Sequence, residues 1–368
     1  MKSVLIIGAG FAGCTSADLF KQKGYKVTVL EGSNLPGGGC WTRTYGGHPY
    51  TFGPRMFYTD NQSVIDQVSK YVKIRNFEMK SFTYVEDEQQ LFNYPLQYSD
   101  FKMMKDYDKI TEELEQRKGT TPSVDSFENY WLDAIGPSLY NKFVNSYSTK
   151  MWGINTNKEL EANFEWVNRG TPIRDGDNRL YGDKFQGYPE SMDGYNQYFV
   201  QALDGVDVLY GCFVNGFDYE NRVVKTSMGD FTADIIINTI HIDTLFNNEY
   251  GQLRYFGREF LPFVLPVEYA MPEDCTWVHY SGNERFTRIT EFKKITGYKS
   301  DFTLLGLELP SERGRFYPVQ SKPELQRLEQ YKSLYPENFF SIGRLGTFKY
   351  KGIVDAVEES LEVMELIK

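Results

Sequence analysis

Val4-Leu5-Ile6-Ile7-Gly8-Ala9-Gly10-Phe11-Ala12-Gly13 opens the chain and decides how it folds. The apolar, β-branched start reads as a buried parallel strand. It runs directly into glycines spaced G-x-G-x-x-G. A helical pattern follows through Ala17, Leu19 and Phe20, then a turn at Lys23-Gly24, then a second strand over residues 26–30 that closes on Glu31. This is a βαβ unit with glycines where a dinucleotide needs them. Gly8 makes the tight turn, Gly10 lets the backbone approach a pyrophosphate, and Gly13 lets the helix pack on the strand. The helix N-terminus at Phe11 and Ala12 then turns free N–H groups toward the phosphates. Glu31 stands where a carboxylate accepts from ribose hydroxyls. A second cluster, Gly37-Gly38-Gly39, follows soon after. Glycines at that place suit FAD better than a plain nicotinamide cofactor.

The totals narrow the classes of function. At 368 residues the chain has room for two or three domains. A formal charge of −10 argues against nucleic-acid binding, although a local arginine cluster can still hold an anion. No apolar run reaches membrane-span length, and the start lacks the pattern of a secretion signal, so a cytoplasmic location is expected. Cys14, Cys40, Cys212 and Cys275 have no metal-ligand spacing and read as reduced thiols, so no metal site is expected. Three histidines, His48, His241 and His279, leave little for a histidine triad. The 27 tyrosines, 27 phenylalanines and 5 tryptophans exceed what a core needs and suit a site for a flat or sugar-like ligand.

Further along, residues 42–50 read as a hairpin or loop, and Asp60 is placed to cap a helix over 62–71. Residues 75–92 alternate like strands. Residues 99–153 turn helical, interrupted at Gly136-Pro137, and form a small helical domain over 98–165. Residues 166–188 are rich in Gly, Asp, Asn and Arg and read as loop, with a mobile lid near 166–182. A helix over 194–203 leads to strands at 206–209, 223–225 and 234–238, the last a second buried parallel strand. Residues 255–320 suit an antiparallel sheet, and 339–344 then 352–367 repeat a strand, glycine, helix order. The expected domains are 1–75 with 190–242 and 336–368 for FAD, 98–165 for the helical unit, and 76–97, 166–189 and 243–335 for an antiparallel sheet facing the substrate.

Arg174, Arg288 and Arg344 sit in loop or strand-end contexts, where a guanidinium fork can match phosphate oxygens. With Gly8–Gly13 and Glu31–Gly38, several segments carry a resemblance along nearly the whole chain. They are Phe52-Gly53-Pro54-Arg55-Met56-Phe57-Tyr58-Thr59-Asp60, Leu91-Phe92-Asn93-Tyr94-Pro95, Tyr147-Ser148-Thr149-Lys150-Met151-Trp152-Gly153 and Thr171-Pro172-Ile173-Arg174. Phe185-Gln186-Gly187-Tyr188-Pro189, Phe286-Thr287-Arg288-Ile289-Thr290-Glu291, Phe316-Tyr317-Pro318-Val319 and the stretch from Gly343-Arg344-Leu345 to Lys349-Tyr350 complete the set. In this order they resemble the UDP-galactopyranose mutase family.

The resemblance implies an α/β flavoprotein. It would have a Rossmann-type FAD-binding domain built from separated segments, a small helical domain and an antiparallel β-sheet domain. It implies that a nucleotide-diphosphate sugar changes from pyranose to furanose with no net oxidation, the N5 of reduced FAD serving as nucleophile at the anomeric carbon. Arg174 would be the lid arginine, Arg288 and Arg344 fixed diphosphate contacts, and Arg55 a further catalytic cation. Tyr147, Tyr317 and Tyr350 would bond phosphate oxygens, with Trp152 and Tyr181 beside the nucleotide or sugar. Gly8, Gly10, Phe11, Ala12, Gly13, Glu31, Gly38, Gly39, Arg55, Gly343, Arg344, Gly352 and Ile353 would hold the cofactor. The resemblance also implies a homodimer and an external reductant, NAD(P)H or reduced flavin.

Five positions depart from the family pattern. Arg55 and Tyr58 stand where histidines are usual, Leu180 where a tyrosine is usual, Gly352 where an aspartate is usual and Ser33 where an arginine is usual. The sugar is therefore open among UDP-galactose, UDP-N-acetylgalactosamine and a dTDP-linked sugar. Two other readings compete: an amine-oxidase-type FAD oxidoreductase and a non-enzymatic dinucleotide-binding regulator. Neither needs arginines on three separate segments.

Overall fold

The structure is a computed structural model and describes residues 1–161 and 173–367. Its first strand, Ser3–Ile7, is central because Val4, Leu5, Ile6 and Ile7 are all buried and need cover on both faces. Lys26–Glu31 pairs with it in parallel on one side and Ile235–Asn238 on the other. Asp207–Tyr210 and Phe339–Ser341 complete a five-stranded parallel sheet. Helices Phe11–Gln22 and Ile353–Leu366 cover one face. They approach closely because small residues meet: Ser16 Oγ donates to Ser360 Oγ at 3.2 Å, and Ala12 and Ala356 lie alongside. The C-terminal segment thus packs onto the same parallel sheet as the opening strand.

Asp18 anchors this helix layer. Its side chain is wholly buried and accepts from Gln22 Nε2 (2.6 Å), Tyr71 Oη (2.7 Å), Gln67 Nε2 (2.9 Å) and Lys70 Nζ (3.1 Å). Burial pushes its pKa up, the four donors outweigh burial, and the net shift is downward. A lowered carboxylate pKa gives stability that is present above the unfolded value near ~3.9 and is lost as pH falls through the folded value. Asp18→Ala should therefore cost about 2–4 kcal/mol at neutral pH and progressively less in acid. Urea unfolding as a function of pH checks both the size and the trend.

A seven-stranded sheet forms the second layer. Its order is Tyr317–Pro318, Tyr255–Leu265, Thr303–Ser311, Arg288–Glu291, Trp277–Tyr280, Ser81–Val85 and Gln90–Tyr94. Neighbours are antiparallel except Trp277–Tyr280 with Ser81–Val85. The antiparallel expectation for 255–320 holds, and the sheet also takes up the alternating strands of 81–94. Helices Tyr107–Glu115, Phe127–Tyr140 and Ser146–Trp152 share a core with this sheet through Val85, Phe92, Tyr317 and Val319. The expected break at Gly136-Pro137 is a kink at Gly136, φ +79°, where a Cβ would meet Glu113 Oε2 at 2.9 Å. No helix among the described residues is long and apolar enough to cross a membrane.

Two expectations change. Asn61, not Asp60, caps helix Gln62–Ser69: its side chain accepts from the Ser63 N–H at 3.1 Å while Asp60 is exposed. The loop expected over 166–188 is loop only in part. Residues 166–172 lie outside the described residues, and Ile173–Arg174 pairs with Leu96–Gln97. Phe185–Pro189 is a buried strand between Phe57–Thr59 and Ile74–Asn76. The glycine that suggested a loop is needed in that strand, since a Cβ on Gly187 would meet Arg75 O at 2.8 Å.

Candidate functional site

The first wall of the site is glycine. A Cβ on Gly13 would meet Gly8 O at 1.9 Å, so only glycine lets the helix start this near the strand. Nothing lies within 4 Å of a Cβ built on Gly10, so its backbone fronts open space. Gly37 N–H donates to Ala9 O at 2.7 Å and brings the second glycine cluster to the same place, with Gly38 beside Gly10. Helix Phe11–Gln22 has no side-chain cap and no acid in its first turn, leaving its terminal N–H groups for an anion. Glu31 accepts from Ala9 N–H (2.7 Å) and Ser33 N–H (2.8 Å), which fixes its carboxylate at the end of the second strand. Gly343 lies against Ala12, and Gly352 N–H donates to Asp355 Oδ2 (2.6 Å) at the start of the last helix, next to Ile353. These features fit a dinucleotide.

The second wall is cationic and aromatic. Tyr317 and Tyr350 stack at 5.6 Å and 21°, and buried Trp152 meets both edge-on at 6.1 and 5.9 Å. The Arg344 guanidinium lies 5.0 Å from the Tyr317 ring centroid and 4.6 Å from that of Tyr350. Arg344 Nε donates to Lys351 O at 2.8 Å, which holds the fork in place. The Arg258 guanidinium also lies over the Tyr317 ring, 4.8 Å from its centroid, and donates to Met151 O at 3.2 Å. Arg288 is gripped by Glu308, with Nε to Oε1 and Nη2 to Oε2 both 2.8 Å. Burial pulls the Arg288 pKa down, Glu308 outweighs it, and the guanidinium stays charged. Arg55 donates to Gly39 O (3.1 Å) and Phe52 O (2.5 Å) and exerts its charge on Cys40, Tyr317 and Tyr350. It ties the glycine wall to the aromatic one.

Burial raises the Tyr147 pKa, although Arg288 and Arg258 pull the other way, so its hydroxyl stays protonated. Tyr317 goes the opposite way. Burial opposes the shift, but Arg258, Arg344 and Arg55 together bring its pKa below the ordinary value. One tyrosine should therefore ionise ahead of the rest in an ultraviolet titration, and Tyr317→Phe should remove that step. Affinity for a diphosphate should fall as pH rises through the step, because a phenolate then faces an anion. In Tyr317→Phe that fall should be absent.

The structure joins Arg55, Tyr147, Trp152, Arg288, Tyr317, Arg344 and Tyr350. It does not join Arg174 to them: that guanidinium donates to Arg179 O (2.6 Å) and Leu180 O (3.5 Å) within its own loop. Tyr181 stacks on Tyr58 at 3.4 Å and 9°, and the Tyr58 hydroxyl is 3.8 Å from a Cβ placed on Gly352. Arg258 and Glu308 were not read from the sequence. A signal for Glu308 existed, a lone acid inside Leu304-Leu305-Gly306-Leu307-Glu308-Leu309; Arg258 carried none.

A family model described as UDP-galactopyranose mutase matches residues 142–350, and one described as an NAD(P)-binding Rossmann-like domain matches 6–72. A dTDP-fucopyranose mutase of Escherichia coli is 26% identical, covering 100% of this chain and 98% of that protein. A probable UDP-galactopyranose mutase of Klebsiella pneumoniae is 26% identical, covering 99% and 94%. The crystal structure of a reduced UDP-galactopyranose mutase superposes with a TM-score of 0.84 at 16% identity, covering 100% and 95%. With its family model spanning more than half of its length, the chain belongs to the UDP-galactopyranose mutase family, the sugar-nucleotide pyranose/furanose mutases, which are isomerases.

Proposed function

We propose that this chain interconverts the pyranose and furanose forms of a nucleotide-diphosphate sugar, with reduced FAD as its cofactor. The observation that carries the reading is the set of cations around Tyr317: Arg344, Arg258 and Arg55, with Arg288 held close by Glu308. A diphosphate carries the charge that such a cluster neutralises, and guanidinium forks match its oxygens two at a time. An amine substrate, as in the oxidase alternative, would be repelled there.

When bound, the reduced flavin supplies a nucleophile for the anomeric carbon and needs no serine, cysteine or histidine. The residues do the rest. Gly8, Gly10, Gly13, Glu31, Gly38 and Gly39 would hold the dinucleotide, with Gly343, which lies against Ala12, and Gly352 and Ile353 at the start of the last helix. Arg344, Arg288 and Arg258 would hold the diphosphate as it departs, so that charge growing on its bridging oxygen is neutralised. Tyr147 and Tyr350 would donate to its oxygens, and Trp152 would keep the Tyr317–Tyr350 stack in place. The same grip would return the diphosphate to the furanose. Arg174 would reach the diphosphate only if its loop moves.

The Tyr58–Tyr181 stack lies at the Gly352 end, where the family's usual polar groups are replaced, and leaves the sugar open among UDP-galactose, UDP-N-acetylgalactosamine and a dTDP-6-deoxy sugar. Anaerobic incubation of dithionite-reduced protein with these three, read by chromatography, tests the reading. Furanose from at least one supports it. No furanose from any, with flavin bound and reduced, overturns it.

A further inference from the structure

The loop that carries Arg344 runs from Gly343 to Lys351, and its two ends meet on one carboxylate. Glu359 Oε2 accepts from Gly343 N–H at 2.7 Å, and Oε1 pairs with the Lys351 ammonium. Lys351 O in turn accepts from Arg344 Nε at 2.8 Å. Arg344 is thus bracketed: Gly343 precedes it in the chain, Lys351 tethers its guanidinium, and Glu359 holds both. Within the bracket, Tyr350 lies under the same guanidinium at 4.6 Å.

The carboxylate stands on a fixed platform. Glu359 belongs to helix Ile353–Leu366, and the next residue, Ser360, is wholly buried with its hydroxyl against Ala12 O (3.1 Å) in helix Phe11–Gln22. An ion pair out in the solvent contributes little. Here the Lys351 and Glu359 side chains are each 15% exposed, and the carboxylate also meets a backbone donor. Removing it leaves that donor and an ammonium unmet where water is scarce.

Resting on the mutase reading above, we infer that Glu359 is a positioning residue for the reaction. It acts through Arg344, by fixing both ends of the loop that presents this guanidinium to the departing diphosphate. A shift of about 1 Å in such a contact is enough to slow a reaction markedly. Glu359 also brings a negative charge, and the two effects differ in sign at Tyr317. Burial and Glu308 raise the Tyr317 pKa, and Arg258, Arg344 and Arg55 lower it. Removing the Glu359 charge alone would move the Tyr317 ionisation further down. Letting Arg344 drift from the Tyr317 ring would move it up.

The test compares flavin-loaded native protein, Glu359→Gln, Lys351→Met, Arg344→Ala and each of the first two combined with Arg344→Ala, with UDP as the probe in calorimetric titration. Glu359→Gln keeps an acceptor for Gly343 N–H and loses the ion pair. Lys351→Met keeps the backbone carbonyl and loses the same pair, so it reads the link even where Glu359→Gln folds poorly. Each should weaken UDP about 10-fold in the native background and by less than ~2-fold once Arg344 is alanine. In ultraviolet titration the Tyr317 step should move up in Glu359→Gln, as in Arg344→Ala. Unchanged UDP affinity in both single variants, equal losses with and without Arg344, or a Tyr317 step that moves down would each overturn the inference. The mutase reading fails separately: reduced native protein would then turn over no nucleotide sugar, even with the coupling intact.

Discussion

Arg344→Ala is expected to lower kcat/KM for the nucleotide sugar by about 10²–10³-fold, because a charge-assisted contact to a phosphate from a partly buried guanidinium contributes ~2–4 kcal/mol to the transition state. Arg344 lies over both stacked tyrosines of the second wall and is tethered to Lys351 O. If it steadies the departing diphosphate, the loss should fall mainly on kcat, with a smaller rise in KM. Arg344→Lys should recover only a small part, because an ammonium keeps the charge and lacks the planar fork that covers two rings. Steady-state assays on fully flavin-loaded variants measure this. A change of less than ~5-fold in the alanine variant would remove Arg344 from the reaction.

Glu308→Ala should destabilise the fold by about 3–5 kcal/mol, the cost of leaving a buried charge unpaired. The Glu308 side chain is 4% exposed and that of Arg288 20%, so neither is screened by water. Glu308 engages both Nε and one terminal nitrogen of Arg288, so the other terminal nitrogen lies outside this ion pair. Glu308→Gln keeps the shape and removes the charge. It should fold better than the alanine variant and still weaken diphosphate binding, because the fork is held less firmly. Thermal unfolding with diphosphate titration separates the two effects. Wild-type stability in Glu308→Ala would show the pair to be incidental.

Much of this was legible in the residues. The opening strand, its glycines and Glu31 specify a βαβ unit locally, so neighbours in sequence are neighbours in space. Gly136-Pro137 announced its own kink for the same reason. The partnerships that build the cationic wall are not local. Arg288 meets Glu308 across two strands of the large sheet, and Tyr317 receives Arg258 from one segment and Arg344 from another. No spacing rule reports such pairings. Phe185–Pro189 reads as loop in the sequence for a related reason: its glycine is dictated by a strand from residues 74–76, far away in sequence.

In the proposed reaction a nucleoside diphosphate leaves the sugar while held by Arg344 and its neighbours. Placing ¹⁸O in the bridge between the anomeric carbon and the β-phosphorus follows that departure directly by ³¹P NMR. With reduced flavin the label should spread into the non-bridging β positions, and Arg344→Ala should slow the spread in step with turnover. Label that stays in the bridge while furanose accumulates would contradict it.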